Sequence, residues 1–523
     1  MHEFREQKGE KIDSYDVVDI YEGFPYFFYD VMDAELTEKE RVFVKILEKI
    51  IHGRGSLEEI KTQFPKISKQ FIEEFSDKIA SPIGPSDITV KIPEMEIFNA
   101  LKINLIALFK EFVPFVENHA GLANAVLDKS VGLGILAPLI RDHELEEIMV
   151  NGCKRPIFVF HKRYGMCKTN LFFDEAKDMD YLITKIANTV GKQFSTEYPL
   201  LDARVSGGNR ANATHNLVTP YGSTLTIRKF TKVPLSIVNL VENNTISSEV
   251  AAFLWVMVEG MNIEPMNLII TGGAGSGKTT TLNVLSTFIP YQERVITLED
   301  TLELDLGSRQ NWIQMESKPE TMGSKGVSMD SLLKNALRMR PNRLIVGEVR
   351  GPEAQTLFVA MDIGHRGCLG TLHSNTAREM LLRLKAEPMG VPDAMIPLLD
   401  LIVVQYKMYV RGKGVMRRIA HISEISSMQK TALLANVYEW KRDKDELVRT
   451  DVPSHIIEIL AEKTMRSKNE VRKEMGIRQN IIEWMLKNNI RANPDVETII
   501  QRYYYDPETV LKEVMKDLGK DLD

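Results

Sequence analysis

The chain has 523 residues, 44% of them hydrophobic and 26% charged, the balance of an ordinary globular protein too long for a single core. A formal net charge of −6 excludes a molecule that binds nucleic acid through its overall charge. Three cysteines, Cys153, Cys167 and Cys368, far apart and without a C-x-x-C pair, exclude a disulfide framework and a four-cysteine zinc site.

The first five residues, Met1-His2-Glu3-Phe4-Arg5, lack the apolar region of a signal peptide, and the longest apolar run, Val250 to Val258, is too short to span a bilayer. A soluble chain is expected, with any membrane role carried by a partner. Residues 1–117 read as a helical accessory region. Its charged opening is expected to be loose up to about Ser14, and Tyr15 to Met32 suits a strand pair or an extended arm. Val42 to Ile51 has helical spacing that ends at Gly53, and Ser56 with Glu59 forms a capping-box pattern. Ser81 to Ser86 reads as a bend, and Ile97–Glu117 as helix.

Residues 118–230 read as a mixed α/β domain. Its strands are Pro156–His161, Lys168–Phe173 and Leu225–Phe230, and its helix is Met179–Val190. Asp202 to Thr214 reads as a hairpin whose Gly-Gly-Asn turn carries Arg204 and Arg210 on its two sides. A linker over 231–245 leads to residues 246–426, where strands and helices alternate as in a mostly parallel sheet. A late hairpin, Val403–Val410 and Val415–Ile422, turns at Arg411-Gly412-Lys413-Gly414, and residues 427–523 read as a helical tail.

Within 246–426, Gly272-Gly273-Ala274-Gly275-Ser276-Gly277-Lys278-Thr279 has the G-x-x-x-x-G-K-[ST] form of a phosphate-binding loop. The apolar run Met266–Ile270 precedes it as a strand, and a helix opening at Thr280 follows. Strand, glycine loop and helix aim backbone N–H groups and a helix dipole at phosphate oxygens. Lys278 is expected to reach the β- and γ-phosphates of ATP, and the Thr279 hydroxyl to ligate Mg²⁺. Two further strands end in carboxylates. Glu299, after Arg294–Leu298, either polarises the attacking water or belongs to an acidic surface turn. Glu348, after Arg343–Gly347, is placed near Mg²⁺ through water, and Arg350 pairs with a carboxylate or a phosphate. His373 follows a third strand, Gly370–Leu372, where Ser374 or Asn375 can cap the next helix. It either bonds the γ-phosphate or is structural. Arg204, Arg210 and Arg228 suit phosphate, but taken alone they read better as a solvated hairpin.

Together these pieces resemble the type II/type IV secretion ATPases, which power pilus assembly, protein secretion and the archaellum. The resemblance covers roughly residues 130–425. Glu299-Asp300-Thr301 is similar to that family's Asp box, Arg340–Arg350 to its Walker-B segment, and Gly364–His365 through Thr371–Asn375 to its His box. Asp202–Arg210 and Thr226–Phe230 are similar to its arginine-bearing N-terminal domain. The resemblance implies a RecA-like ATPase domain and an N-terminal domain carrying arginine fingers, with helical extensions at both ends. It implies ATP hydrolysis with Glu299, Glu348, His373, Arg204, Arg210 and Arg228 in catalytic roles. It also implies a homo-hexamer working at the inner face of the cell membrane on a polytopic platform protein, for pilus assembly or secretion, with the archaellum motor as the alternative. A nucleic-acid translocase is disfavoured by the acidic charge. Asn342 stands where the family pattern has aspartate, and the paired cysteines of many bacterial members are absent, so no zinc is expected.

Overall fold

A computed structural model of the chain describes residues 7–32, 37–51, 95–113, 116–130, 132–205, 208–229, 234–318, 325–410, 414–428 and 431–518, with 62–65, 67, 70, 71 and 73–75. The Ser56/Glu59 cap, Gly53, the Ser81–Ser86 bend, Ser206-Gly207 of the arginine hairpin and Arg411–Lys413 lie outside the described residues. The chain divides into two compact units, Met1–Lys232 with Arg411–Val415, and Val233–Val410 with Met416–Asp523.

The first unit is built on nine strands: β1 (Gln7–Tyr15), β2 (Val18–Phe24), β3 (Phe27–Val31), β4 (Leu145–Val150), β5 (Pro156–His161), β6 (Gly165–Phe172), β7 (Leu200–Arg204), β8 (Arg210–Thr214) and β9 (Thr224–Arg228). Their order in the sheet is β1-β2-β3-β6-β5-β4-β9-β8-β7. One face is apolar. Ile148, Val159, Cys167, Ala211, Leu225 and Ile227 are all fully buried, together with Ile183 and Ile186 of helix Ala176–Thr189. Alternation along β7, β8 and β9 puts polar residues such as Asp202, Arg204, Arg210 and Arg228 on the other face. Helices Glu38–Ile51, Met95–Phe112 and His119–Ser130 share a separate core around Phe43, Phe71, Phe75 and Phe109.

Residues 18–31 give the strand pair expected of Tyr15 to Met32, while residues 7–14, expected to be loose, are strand too, which corrects the helical reading of 1–117 over this arm. Together they form three strands of the mixed sheet, and β1 is already paired with β2 from Gln7. A buried polar cluster ties this arm down. Tyr15 and Tyr29 donate to Asp142 Oδ2 at 3.0 and 2.5 Å, and Tyr15 Oη lies 2.9 Å from His161 Nε2. The His161 Nδ1 accepts the backbone N–H of Arg163 at 3.0 Å. Burial holds the His161 imidazole below its ordinary pKa.

The second unit carries β10 (Leu268–Gly272), β11 (Val295–Glu299), β12 (Trp312–Glu316), β13 (Arg343–Val349), β14 (Leu369–Leu372), β15 (Leu401–Val410), β16 (Gly414–Met428), β17 (Thr431–Lys441) and β18 (Glu446–Arg449). Their order is β12-β11-β13-β14-β10-β15-β16-β17-β18. The pairings from β12 to β15 are parallel, and those of β16 to β18 antiparallel. Every residue of β10, β11 and β14 is buried, as a parallel sheet covered on both faces requires.

Two boundaries differ from the sequence reading. The stretch read as linker contains helix Ile237–Glu242, closed at its start by a Ser236–Asn239 capping box. The stretch read as an all-helical tail begins with β17 and β18, which extend the sheet, and only then gives helices His455–Lys463, Lys468–Lys487, Asn493–Tyr505 and Pro507–Leu518. Those helices share one core with helix Ser248–Glu259, the apolar run of the sequence. Val471, Ile481, Ile482 and Ile500 are fully buried in it. Each such side chain contributes about 1.5–3 kcal/mol.

A buried ion pair fixes how this tail sits. Arg478 Nη2 donates to Glu259 Oε2 at 2.7 Å and its Nε to Glu474 at 2.9 Å, with the guanidinium 5.2 Å from the Trp255 ring centroid. Gln501 donates to the carbonyls of Thr287 and Ile289, and Tyr504 to that of Phe288, so the tail grips the turn after the helix that begins at Lys278. Arg478→Ala leaves Glu259 buried without its partner. Removing one partner of such a pair costs about 3–5 kcal/mol. Chemical denaturation should show the midpoint falling by that loss, and a change under about 1 kcal/mol would refute the anchoring role.

Candidate functional site

Four neighbouring parallel strands, in the order β11-β13-β14-β10, end at the same edge of the second sheet. Open α/β sheets bind ligands at this carboxyl edge. β10 delivers the glycine loop, β11 ends at Glu299, β13 carries Glu348, and His373 directly follows β14. The chain thus brings the loop, both carboxylates and the histidine together on one edge.

In the loop, Gly275 and Gly277 have φ of +66° and +95°, the left-handed region that a side chain would strain. Gly277 is the residue before helix Lys278–Ser286. The Lys278 ammonium is buried and donates to the carbonyls of Gly272 and Gly273 at 3.0 and 3.1 Å. Ser276 is fully buried, and its hydroxyl has no hydrogen-bond partner among the described residues. A buried hydroxyl of that kind, beside a lysine and a helix start, suits an anion that would complete its bonding. Ala274 and Thr280 are exposed, and Gly273 and Thr279 are half-buried.

Glu299 is 2% exposed, and its Oε2 accepts the N–H groups of Glu303 and Leu304 at 2.6 and 2.9 Å. It therefore closes its own loop, and its aliphatic stem fills the space beside Gly347. A Cβ there would stand 2.9 Å from Glu299 Cγ. Asp300 binds Ser317 at 2.7 Å and Arg350 at 2.6 Å, so Arg350 pairs with a carboxylate. Glu348 is half-buried. His373 feels both flanks of the site. Burial and the Lys278 charge lower its pKa, while Glu348 opposes them. The helix after it is capped by Thr376, which accepts from Glu379 N at 3.1 Å, in place of the Ser374 or Asn375 cap expected from sequence. Asn342 Oδ1 accepts the N–H of Arg294 at 2.9 Å, tying the start of β13 to that of β11.

Sequence reasoning missed three residues at the loop. Gln405 and Lys407 on β15 and Arg417 on β16 lie against it. Thr281 donates to Gln405 Oε1 at 2.9 Å, and Arg417 Nε donates to the Gly275 carbonyl at 3.1 Å. Among the described residues no three His, Cys, Asp or Glu side chains gather as a metal site. A Mg²⁺ at Thr279 and Glu348 would take its remaining ligands from phosphate oxygens and water, which is how this ion is usually held.

Arg204, Arg210 and Arg228 belong to the first unit. Register puts them side by side on three adjacent strands, Arg204 opposite Arg210 and Arg210 opposite Arg228. All three are exposed, on the face away from that unit's core. Arg210 is held by a two-bond contact to Asp202, at 3.0 and 2.8 Å.

A family model described as Type II/IV secretion system protein matches residues 129–411, over half of the chain. The chain belongs to that family. The conjugal transfer protein TrbB of Rhizobium radiobacter is 30% identical over 256 residues, covering 48% of this chain and 74% of that protein. Two uncharacterized proteins of Methanocaldococcus jannaschii also match. MJ0900 is 35% identical over 413 residues, covering 76% of this chain and 73% of that protein. MJ0781 is 46% identical over 260 residues, 49% of this chain but only 35% of its own length. The first unit's mixed sheet and the second unit's mostly parallel sheet make this an α/β chain, as the sequence reading expects.

Gly347→Ala forces a methyl group onto Glu299 and should pull that carboxylate from the Glu303 and Leu304 amides. Overpacking of this kind costs about 1–3 kcal/mol, and unchanged stability would refute the contact. The lowered pKa of His373 means that the unfolded chain takes the proton more readily. Its contribution to stability is therefore present above the ordinary histidine pKa of about 6.5 and is lost as pH falls below it. His373→Asn should flatten the fall in melting temperature between pH 7 and pH 5. A slope equal to that of the unchanged protein would rule out the assignment.

Proposed function

We propose that this family member is an ATP-hydrolysing motor that powers pilus-like assembly or protein secretion. The observation that supports this reading best is the shared edge of β11, β13, β14 and β10, where His373 stands within electrostatic reach of both Lys278 and Glu348. Phosphoryl transfer is driven mainly by positioning and charge, and the roles follow from that. The loop amides, Lys278 and Ser276 hold the phosphate chain. Thr279 and Glu348 hold Mg²⁺, which neutralises developing charge. Glu299 fixes the Asp-box loop and, with Glu348, orients the attacking water. His373, uncharged near neutral pH, bonds the γ-phosphate or a group beside it.

The exposed row Arg204, Arg210 and Arg228 offers planar, permanently charged donors to phosphate oxygens. We assign it the part of the arginine fingers. A grip that exists only while the γ-phosphate is present makes the domain angle follow the nucleotide. In this proposal six chains form a ring, and the motion passes to a polytopic membrane platform at the inner face of the membrane. No helix among the described residues is long and apolar enough to cross a membrane.

Steady-state turnover and nucleotide binding on purified protein test the assignment. Lys278→Ala should weaken ATP binding at least about tenfold, the scale of one lost charge-assisted contact. Glu348→Gln should keep ATP bound while phosphate release slows by about 10²–10⁴-fold. Changing any of the three arginines to Gln should lower turnover while ATP affinity stays within about threefold. Turnover of Glu348→Gln equal to that of the unchanged protein would overturn the roles given to the carboxylates.

A further inference from the structure

The phosphate loop is held from behind by a pair of strands far along the chain, and two of its supports are cations. The first is Lys407 on β15. Its Nζ lies 3.2 Å from where a Cβ on Gly275 would stand. The second is Arg417 on β16, whose Nε donates to the Gly275 carbonyl at 3.1 Å and whose Cδ lies 3.3 Å from a Cβ built on Gly277. Between them Gln405 packs against Gly277 as well and against one further glycine, Gly272. Its carbonyl oxygen is 2.2 Å from a Cβ on Gly272, and its Nε2 is 3.1 Å from one on Gly277. A side chain is thus excluded at Gly272 by the β15 backbone, while at Gly275 and Gly277 the left-handed backbone disfavours one and side chains of β15 and β16 crowd the space.

A peptide unit is planar and trans, so its C=O and the next N–H point in opposite directions. When Arg417 draws the Gly275 carbonyl to the rear, the Ser276 N–H is turned to the opposite side. That N–H makes only a long bond, 3.3 Å, to the Gly273 carbonyl. The Ser276 hydroxyl beside it is buried and has no partner among the described residues. The Ser276 N–H is therefore turned away from Arg417, in a loop where Lys278, Lys407 and Arg417 concentrate positive charge. Such a field favours a ligand in proportion to its negative charge.

We propose that Arg417 and Lys407 are positioning residues for the nucleotide, Arg417 by orienting the Gly275–Ser276 peptide and Lys407 by adding charge. Together they make the site discriminate by phosphate number: triphosphate over diphosphate over monophosphate. This inference rests on reading the loop as a nucleotide site.

Calorimetric titration of the full chain with ATP, ADP and AMP, each at about 50 mM and about 300 mM salt, tests it; screening at the higher salt weakens exposed charge interactions. Lys407→Gln and Arg417→Gln should each weaken ATP binding roughly tenfold, ADP binding less and AMP binding hardly at all. The fall in affinity with salt should be shallower for Lys407→Gln. Lys407→Arg should restore it, and Arg417→Lys, which keeps a donor, should recover part of the lost ATP affinity. Equal losses for the three nucleotides with an unchanged salt dependence would show mere loop distortion and overturn the proposal, as would unchanged affinities. If Arg417→Gln is not recovered folded, Lys407→Gln and its arginine counterpart, at an exposed position, decide the question. Failure of the unchanged protein to bind ATP at all would sink the nucleotide reading itself. Normal binding by that protein, abolished by Lys278→Ala but insensitive at Lys407 and Arg417, would sink only the present inference.

Discussion

The candidate site depends on the register of four buried parallel strands. A one-residue slip of any of these strands would exchange the side chains packed on its two faces. Thr271 is opposite Leu372, Val346 opposite both Leu298 and Gly370, and Val295 opposite Arg343. These pairings place the glycine loop, Glu299, Glu348 and His373 at one edge. The apolar packing of the strands thus sets the positions of groups that are themselves polar.

Polar groups in such a place must be satisfied, and the structure shows how. Glu299 takes two amides of its own loop, Asp300 takes Ser317 and Arg350, and Lys278 folds onto two loop carbonyls. A hydroxyl in the middle, that of Ser276, lacks a partner among the described residues. The carboxyl-terminal helices contribute at a distance. They cover helix Ser248–Glu259 and grip the turn at Thr287–Ile289, so the helix that starts at Lys278 is held at its far end.

Part of this was plain in the linear order. The loop is contiguous, and the spacing of its glycines and lysine is itself the signal. Glu299, Glu348 and His373 each close an apolar run, so the hydrophobic pattern marks them. The strands of the arm and of the tail were harder. β1 is charged and lies open to solvent, and ladder bonds with the Lys11–Asp19 ion pair hold it in the absence of an apolar stripe. β17 carries Ala432-Leu433-Leu434-Ala435 near its start, residues that favour helix when taken alone. The sheet edge beside it overrides that preference by offering β16 as a partner.

The amino-acid sequence alone determined the chemistry on offer: a phosphate loop, carboxylates and a histidine at strand ends, and three arginines upstream. Short-range rules suffice for these, because each residue is marked by the pattern of its immediate neighbours in sequence. Tertiary structure decided which groups meet. Arg417 reaches Gly275 across 142 residues, and Arg478 reaches Glu259 across 219. It also aligned Arg204, Arg210 and Arg228 in one row through the pairing of three strands. Contacts over such separations follow from how buried surfaces pack, and no local pattern of residue types encodes them.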